Sequence, residues 1–283
     1  MPSIAIVTDT DSSLPLAIAA RHRIHQAPMT VHFGSEVLET GIDIDDAGLF
    51  ARIDREGKLP TTASPSPGKF AAAFGAAFDD GADAVICFTA SSKVSAGYNA
   101  AQSACDEFPG RDIRVVDTLS LSMGEGFMVL AAAEAAEAGA PIEEAIARAL
   151  DVRERTHLYA SLSTLKYLAM SGRVGQMAAG MATLLNVKPI VTIRGGTLDM
   201  LERVRTQSKA WARVVELAQL AAGERPVERM AMLHVNALAE ARQMEQQLRA
   251  VLRCPPEIIT AELTPGMSVH AGAGLVGVAL VVS

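Results

Sequence analysis

Hydroxyl, carboxylate and imidazole side chains gather at a few points of this chain. The densest run is Val85 to Tyr98, where the apolar Val85-Ile86-Cys87-Phe88 ends in Thr89, Ser91, Ser92 and Ser95. A helical pattern follows, with Tyr98, Ala101 and Cys105 on one side. Strand, polar loop and helix N-terminus form a place where an anion can sit. Ligands of open parallel sheets lie at strand carboxyl ends, and a first helical turn presents unpaired N–H groups. The hydroxyls beside those groups either cap the helix or turn towards a ligand. Leu59 to Pro67 is a second hydroxyl-rich run, stiffened by three prolines that leave it few backbone hydrogen bonds. Asp117, with Ser120 and Ser122, marks a third strand end.

Other chemistries meet obstacles. A Ser–His hydrolase would use Ser95 or Ser92 with His270, but no G-x-S-x-G elbow surrounds either serine. Asp9-Thr10-Asp11 faintly resembles a phosphotransferase nucleophile, which would want Mg²⁺ and a second acidic pair. A capping and loop-bracing role for Asp9 and Asp11 is favoured. Gly272 to Gly277 spells G-x-G-x-x-G, yet a strand rather than a helix follows, so a dinucleotide site is rejected. Three scattered cysteines offer no metal or redox spacing, and no metal or cofactor is expected. His270 is set apart from the other histidines by its loop, Pro265 to Gly272, where glycines let backbone approach a ligand. Arg173 after Gly172 is either an anion contact or a salt bridge. Arg203, Arg205 and Lys209 are either a solvated face or a docking surface for an acidic partner.

The elements that must position these residues are legible from pattern. Strands are expected at Ser3 to Thr8, Gln26 to Phe33, Glu36 to Glu39, Asp83 to Phe88 and Ile113 to Val116, with helices between them. That spacing predicts an α/β fold, a parallel doubly wound sheet over 1–151. After a helix near Ile142 to Asp151, the hairpin Val187 to Val204 and strands at Glu228, Ile258 and Leu275 predict an α/β sandwich with a mixed sheet over 152–283. A chain of 283 residues suffices for two such domains. Net charge of −7 with no basic block argues against nucleic acid. No apolar run reaches the roughly 20 residues of a membrane span, and no basic n-region precedes the first strand. A cytoplasmic protein with at most transient membrane contact is expected.

Taken together, several runs resemble the DegV family, the fatty-acid-binding subunits of bacterial fatty acid kinases. Val7-Thr8-Asp9 with Leu14 opens the series. Thr62-Ala63-Ser64-Pro65-Ser66-Pro67 resembles that family's T-S-Q-P-S-P, and Ser91 to Tyr98 resembles S-S-x-L-S-G-T-Y. Asp117, Ser120, Ser122, Gly124 and Gly126 follow. Leu165, Tyr167, Leu168, Gly172 and Arg173 resemble L-x-Y-L-x-x-G-G-R. Leu184 to Ile190 resembles L-L-N-I-K-P-I, and His270 to Gly274 resembles H-x-G-P-G.

The resemblance implies a non-catalytic subunit that binds one long-chain fatty acid between two domains. A separate ATP-binding kinase subunit would phosphorylate the carboxylate to an acyl-phosphate. Thr62, Ser95 and His270 would hold that carboxylate, with Ser64, Ser92 and Ala96 beside them. Arg173 and Arg205 would stand farther out or face the partner. Ala63 and Ala96 each remove a hydroxyl the family usually has. Either head-group contacts are fewer, or Ser64 and backbone N–H groups replace them. Neutral donors also leave one carboxylate oxygen free to attack a γ-phosphoryl group. The competing reading is a stand-alone Ser–His hydrolase of acyl esters.

Overall fold

A computed structural model of the chain describes residues 3–172 and 187–283. In order, the first elements are β1 (Ile4–Asp9), α1 (Leu16–Arg21), β2 (His25–Ala27), β3 (Thr30–Phe33), β4 (Glu36–Glu39), α2 (Asp46–Glu56) and β5 (Thr61–Ala63). Then come α3 (Pro67–Asp79), β6 (Ala84–Thr89), α4 (Gly97–Ala104), β7 (Asp112–Asp117), α5 (Met123–Glu137) and α6 (Ile142–Arg155). The remainder is β8 (Thr156–Ser161), α7 (Lys166–Met170), β9 (Lys188–Arg194), β10 (Thr197–Val204), α8 (Gln207–Ala222) and β11 (Val227–His234). It closes with α9 (Leu238–Val251), β12 (Ile259–Glu262), α10 (Pro265–Ala271) and β13 (Val276–Val282).

The first sheet, β2-β1-β6-β7, is wholly parallel. Its central strand β6 is buried at every position, as a parallel strand covered on both faces must be. Val7, Val85 and Cys87 face Phe70 and Phe74 of α3 and Ala101 and Ala104 of α4. The alternate residues Ile6, Ile86 and Phe88 turn to Met123 and Phe127 of α5. Helices therefore lie on both faces, the doubly wound arrangement that the sequence pattern predicts. Local chemistry starts these helices: Ser66 accepts the Lys69 N–H ahead of Pro67, and Asp45 accepts that of Gly48.

The second sheet, β10-β9-β8-β13-β11-β12, is mixed; only β11 and β12 run parallel. Helix α5 packs against strands of both sheets, which explains why it is apolar nearly all round. One core runs through it, joining Phe127 and Val129 to Leu158, Leu233 and Ala279.

Three details differ from the sequence reading. The expected strand Gln26 to Phe33 is two strands, because Pro28 lacks an N–H and breaks the ladder. The proline-rich run contains β5, which pairs with β3 through Val31 and Thr62 in a small sheet β4-β3-β5. His270 lies in the last turn of α10, not in a loop. Its flanking glycines serve packing: a Cβ on Gly272 would strike the Tyr167 ring, and one on Gly266 would strike Met29.

Candidate functional site

Strand β5 carries Thr62 and runs out into Ser64, and β6 leads through Ala90 into Ser95 and Ala96; α10 brings His270. These residues, with Asp11 and Ser122, form the polar wall of a cavity of about 380 Å³, within the range of small-molecule sites. The structure thus draws Thr62, Ser64, Ser95, Ala96 and His270 to one wall. Thr62 Oγ1 and His270 Nε2 form a hydrogen bond of 2.8 Å across 208 residues of sequence. Which atom donates depends on the tautomer. Ser95 Oγ accepts the Gly97 N–H at 3.2 Å and keeps its own proton for another acceptor.

Opposite stands an apolar wall from the mixed sheet. Leu158, Ala160 and Leu162 alternate along and beyond β8, joined by Val191, Leu198 and Leu233. Period-two geometry puts them all on one face. The cavity is therefore two-ended: hydroxyl, imidazole and backbone on one side, aliphatic on the other.

Ser92 is not part of the lining. Its hydroxyl donates to Asp117 Oδ2 and its N–H to Asp117 Oδ1 at 3.1 Å, so it ties β7's end to the loop instead. Arg205 is exposed and also lies outside the lining. Arg173, and Leu184 to Asn186 of the L-L-N run, fall outside the described residues. Ser91 joins the two halves: its Oγ donates to Gly196 O at 2.7 Å while Lys93 Nζ reaches Gly195 O. A Cβ at Gly196 would sit 2.6 Å from Ser91 Oγ, so glycine is required there.

Beneath the polar wall lies a feature that motif reading misses. Asp9 Oδ1 accepts the Asp11 N–H at 2.9 Å, and Oδ2 accepts that of Ala90 at 3.0 Å. Asp9 thus braces two loops, the role favoured for it from sequence. Its buried neighbour Glu125 accepts from Thr8 Oγ1 at 2.9 Å. Burial pushes the Asp9 carboxyl up to about 6, against the lowering pull of the two N–H groups. Glu125 rises well above the ordinary range, first by burial and then by the Asp9 charge, so it holds the proton of the pair. The sequence signal is Gly124-Glu125-Gly126 opening an apolar helix. A Cβ on Gly124 would meet Ser120 Oγ, and one on Gly126 would meet Ser12 O at 3.0 Å. Gly97 is small for a similar reason, with Asp9 Oδ2 only 3.2 Å from where its Cβ would be.

Ser122, on the cavity wall, has φ 52 and ψ −148, a conformation costly for a residue with a side chain. It is held by its N–H to Asp11 O at 2.7 Å and its hydroxyl to Ser13 Oγ at 3.2 Å. Such strain clusters at ligand sites. The His270 Nε2 contact is with a threonine hydroxyl, which ties the end of α10 to β5 at the polar wall. Among the described residues no cluster of His, Cys, Asp or Glu could hold a metal ion, and no helix is long and apolar enough to cross a membrane.

Comparison with known proteins gives one consistent answer. The family model described as an uncharacterised protein of the DegV family matches residues 3–283. A DegV domain-containing protein of Streptomyces coelicolor is 36% identical over 275 residues, 97% of each chain. A solved Thermus thermophilus DegV family protein, described for its fatty acid binding, superposes with a TM-score of 0.92 at 31% identity, covering 100% of both chains. DegV of Bacillus subtilis, described as a fatty acid binding protein, gives 0.90 at 27% identity, again covering 100% of each.

Proposed function

The chain belongs to the DegV family, and on that premise we propose that it binds a long-chain fatty acid in the two-ended cavity and presents the carboxylate to a separate ATP-dependent kinase subunit. The observation that carries the reading is one cavity with Thr62, Ser95 and His270 on one side and an aliphatic wall on the other. Ser95 and the Thr62–His270 pair donate to the carboxylate, with Ser64 and backbone N–H groups supplying what Ala63 and Ala96 lack. A carboxylate desolvated without donors would cost several kcal/mol, which this cup offsets. The tail gains about 0.8 kcal/mol per buried methylene, so a C16 acid is retained against water.

Presentation follows from the chemistry of the donors. Hydroxyls and one imidazole stabilise the anion without a bidentate guanidinium fork. One oxygen keeps a lone pair for in-line attack on a γ-phosphoryl group. That attack forms the C(O)O–P bond and expels ADP, giving an acyl-phosphate. The kinase subunit would bring ATP and metal; this chain supplies position and dryness. Support comes from the family relationship and from relatives described as fatty-acid-binding.

Mass spectrometry of the purified chain, first native and then denatured, tests the binding step. A stoichiometric fatty acid of one or a few chain lengths is expected. An empty protein that hydrolyses a p-nitrophenyl ester, with loss in Ser95→Ala, would instead establish the hydrolase. For presentation, the loaded chain is mixed with a fatty acid kinase subunit and ATP; trapping of an acyl hydroxamate is expected, and none forming would defeat that step.

A further inference from the structure

Two acids lie beneath the polar wall of the cavity, and neither touches water. Asp9, at the end of β1, and Glu125, in the first turn of α5, are both 0% exposed. Their carboxyls are within hydrogen-bonding reach of each other, and among the described residues no Lys, Arg or His pairs with either one. Glu125 Oε1 accepts from Thr8 Oγ1, while Oε2 has no donor among the described residues. Two carboxyls can hydrogen-bond to each other only if one keeps a proton, and two adjacent buried charges of one sign are too costly to hold. The pair therefore carries at least one proton.

This pair is tied to the head-group end of the cavity. Asp9 Oδ1 and Oδ2 accept the N–H groups of Asp11 and Ala90, and both of those residues line the cavity. Gly97 sets the spacing. Its Cβ position is 3.2 Å from Asp9 Oδ2 and 3.4 Å from Ser95 Oγ, so the acid and the hydroxyl flank one glycine. An anion held by Ser95 lies close to Asp9, with protein rather than water between them.

The other titratable groups around the pair are few. Asp11 follows β1 on the cavity wall, and His270 faces the cavity from α10. On β6, burial pushes the Cys87 thiol up, so it stays neutral. On β2, His25 is turned to Asp80, and at the end of β7 Asp117 is taken by Ser92. Farther along α5, Glu134 and Glu137 pair with Arg229 and His22. Beside Gly97, α3 presents only the ring of Phe70.

Given the fatty-acid reading of the cavity, on which this rests, we propose that the Asp9–Glu125 pair regulates the head-group site through a proton: it takes one up when a fatty-acid carboxylate enters and returns it when the acid leaves. An anion beside a buried acid favours the acid's neutral form. The loaded chain then holds more protons than the free one, so affinity falls as pH rises through the range where the two differ. In the free chain Asp9 loses its proton at about 6. A like charge at this separation moves that midpoint up by about one pH unit. Affinity for palmitate should therefore fall about fivefold between about pH 5.5 and about pH 8. Binding of hexadecanol, which has the same tail and no charge, should not change.

The test uses the full chain freed of lipid, with carboxyl carbons followed by ¹³C NMR and affinity measured by equilibrium dialysis of radiolabelled ligand. Palmitate should raise the midpoint of the Asp9 carboxyl, and hexadecanol should leave it in place. Glu125→Gln, which can donate to Asp9 and keep it ionised, should still bind palmitate but with a flat pH dependence. A slope that comes from Asp11, His270 or the ligand's own carboxyl survives that change. An unmoved Asp9 midpoint in a chain that binds palmitate, or a slope that persists in Glu125→Gln, overturns this proposal alone. A chain that takes up neither palmitate nor hexadecanol overturns the fatty-acid reading and this proposal with it.

Discussion

The two sheets contribute to the cavity in different ways. The parallel sheet and the small sheet beside it act through their ends: Ser64 after β5, Ala90 and Ser95 after β6, Asp11 after β1. The mixed sheet acts through its face, by Leu158, Ala160, Val191, Leu198 and Leu233. The reason is backbone accounting. Inside a sheet every N–H and C=O is committed to the ladder, so a face can offer only side chains. At strand ends the backbone is unpaired, and N–H groups and short hydroxyls can converge on a charge. A head group belongs at ends and a tail belongs on a face.

That contrast can be broken most severely on the face. Leu198→Glu places a carboxylate against the tail and should reduce fatty acid affinity by about 100-fold or more, since burying a charge costs several kcal/mol. Displacement of a fluorescent fatty acid measures it; near-parental affinity would mean the tail does not lie on this wall. His270→Ala removes one end-contributed donor and deprives Thr62 of its partner. A loss of about 10- to 100-fold is expected from a hydrogen bond to a charged group.

The buried acid pair beneath the ends gives a third test. The folded pKa of Asp9, about 6, and that of Glu125 lie above the ordinary values of 3.8 and 4.5 for these side chains. The native state therefore holds more protons than the unfolded chain between those limits. Stability from the pair is fullest below about pH 4 and falls as pH rises through the folded values. Glu125→Gln still accepts from Thr8 and can donate to Asp9, but carries no titrating proton. It should gain on the order of 2 kcal/mol over the parent at pH 7, with the gap closing towards pH 4. Urea unfolding of both chains across that range decides it, and a gap that widens on acidification would refute the pairing.

Smaller effects separate serines that look alike. Ser95→Ala should weaken fatty acid binding about tenfold, the low end for a hydrogen bond to a charged group. Ser92→Ala and Arg205→Ala should leave it unchanged and move stability by no more than about 0.5 kcal/mol. A drop in Ser92→Ala equal to that in Ser95→Ala would place the head group nearer Asp117 than the cavity does.

The sequence by itself determined most of the strands and helix starts, because those follow from local pattern; the break at Pro28 and the short β5 did not show in it. The unbroken apolar run of β6, the Ser66-Pro67 start of α3 and the Gly195-Gly196 hairpin each carry their own signal. It also named the hydroxyl runs, since clustered Ser, Thr and Pro need polar partners wherever they are buried. The distinction between Ser92 and Ser95, three residues apart, was invisible: it depends on Asp117 arriving from β7. Glu125, which reaches Thr8 across 117 residues, and Asp46, which reaches Ser268 across 222, were likewise beyond local reading. Nothing along the chain couples such residues until the sheets pack. Only the tertiary structure fixed which carboxylates lose water and which hydroxyls face an open space, because desolvation is a property of the packed whole.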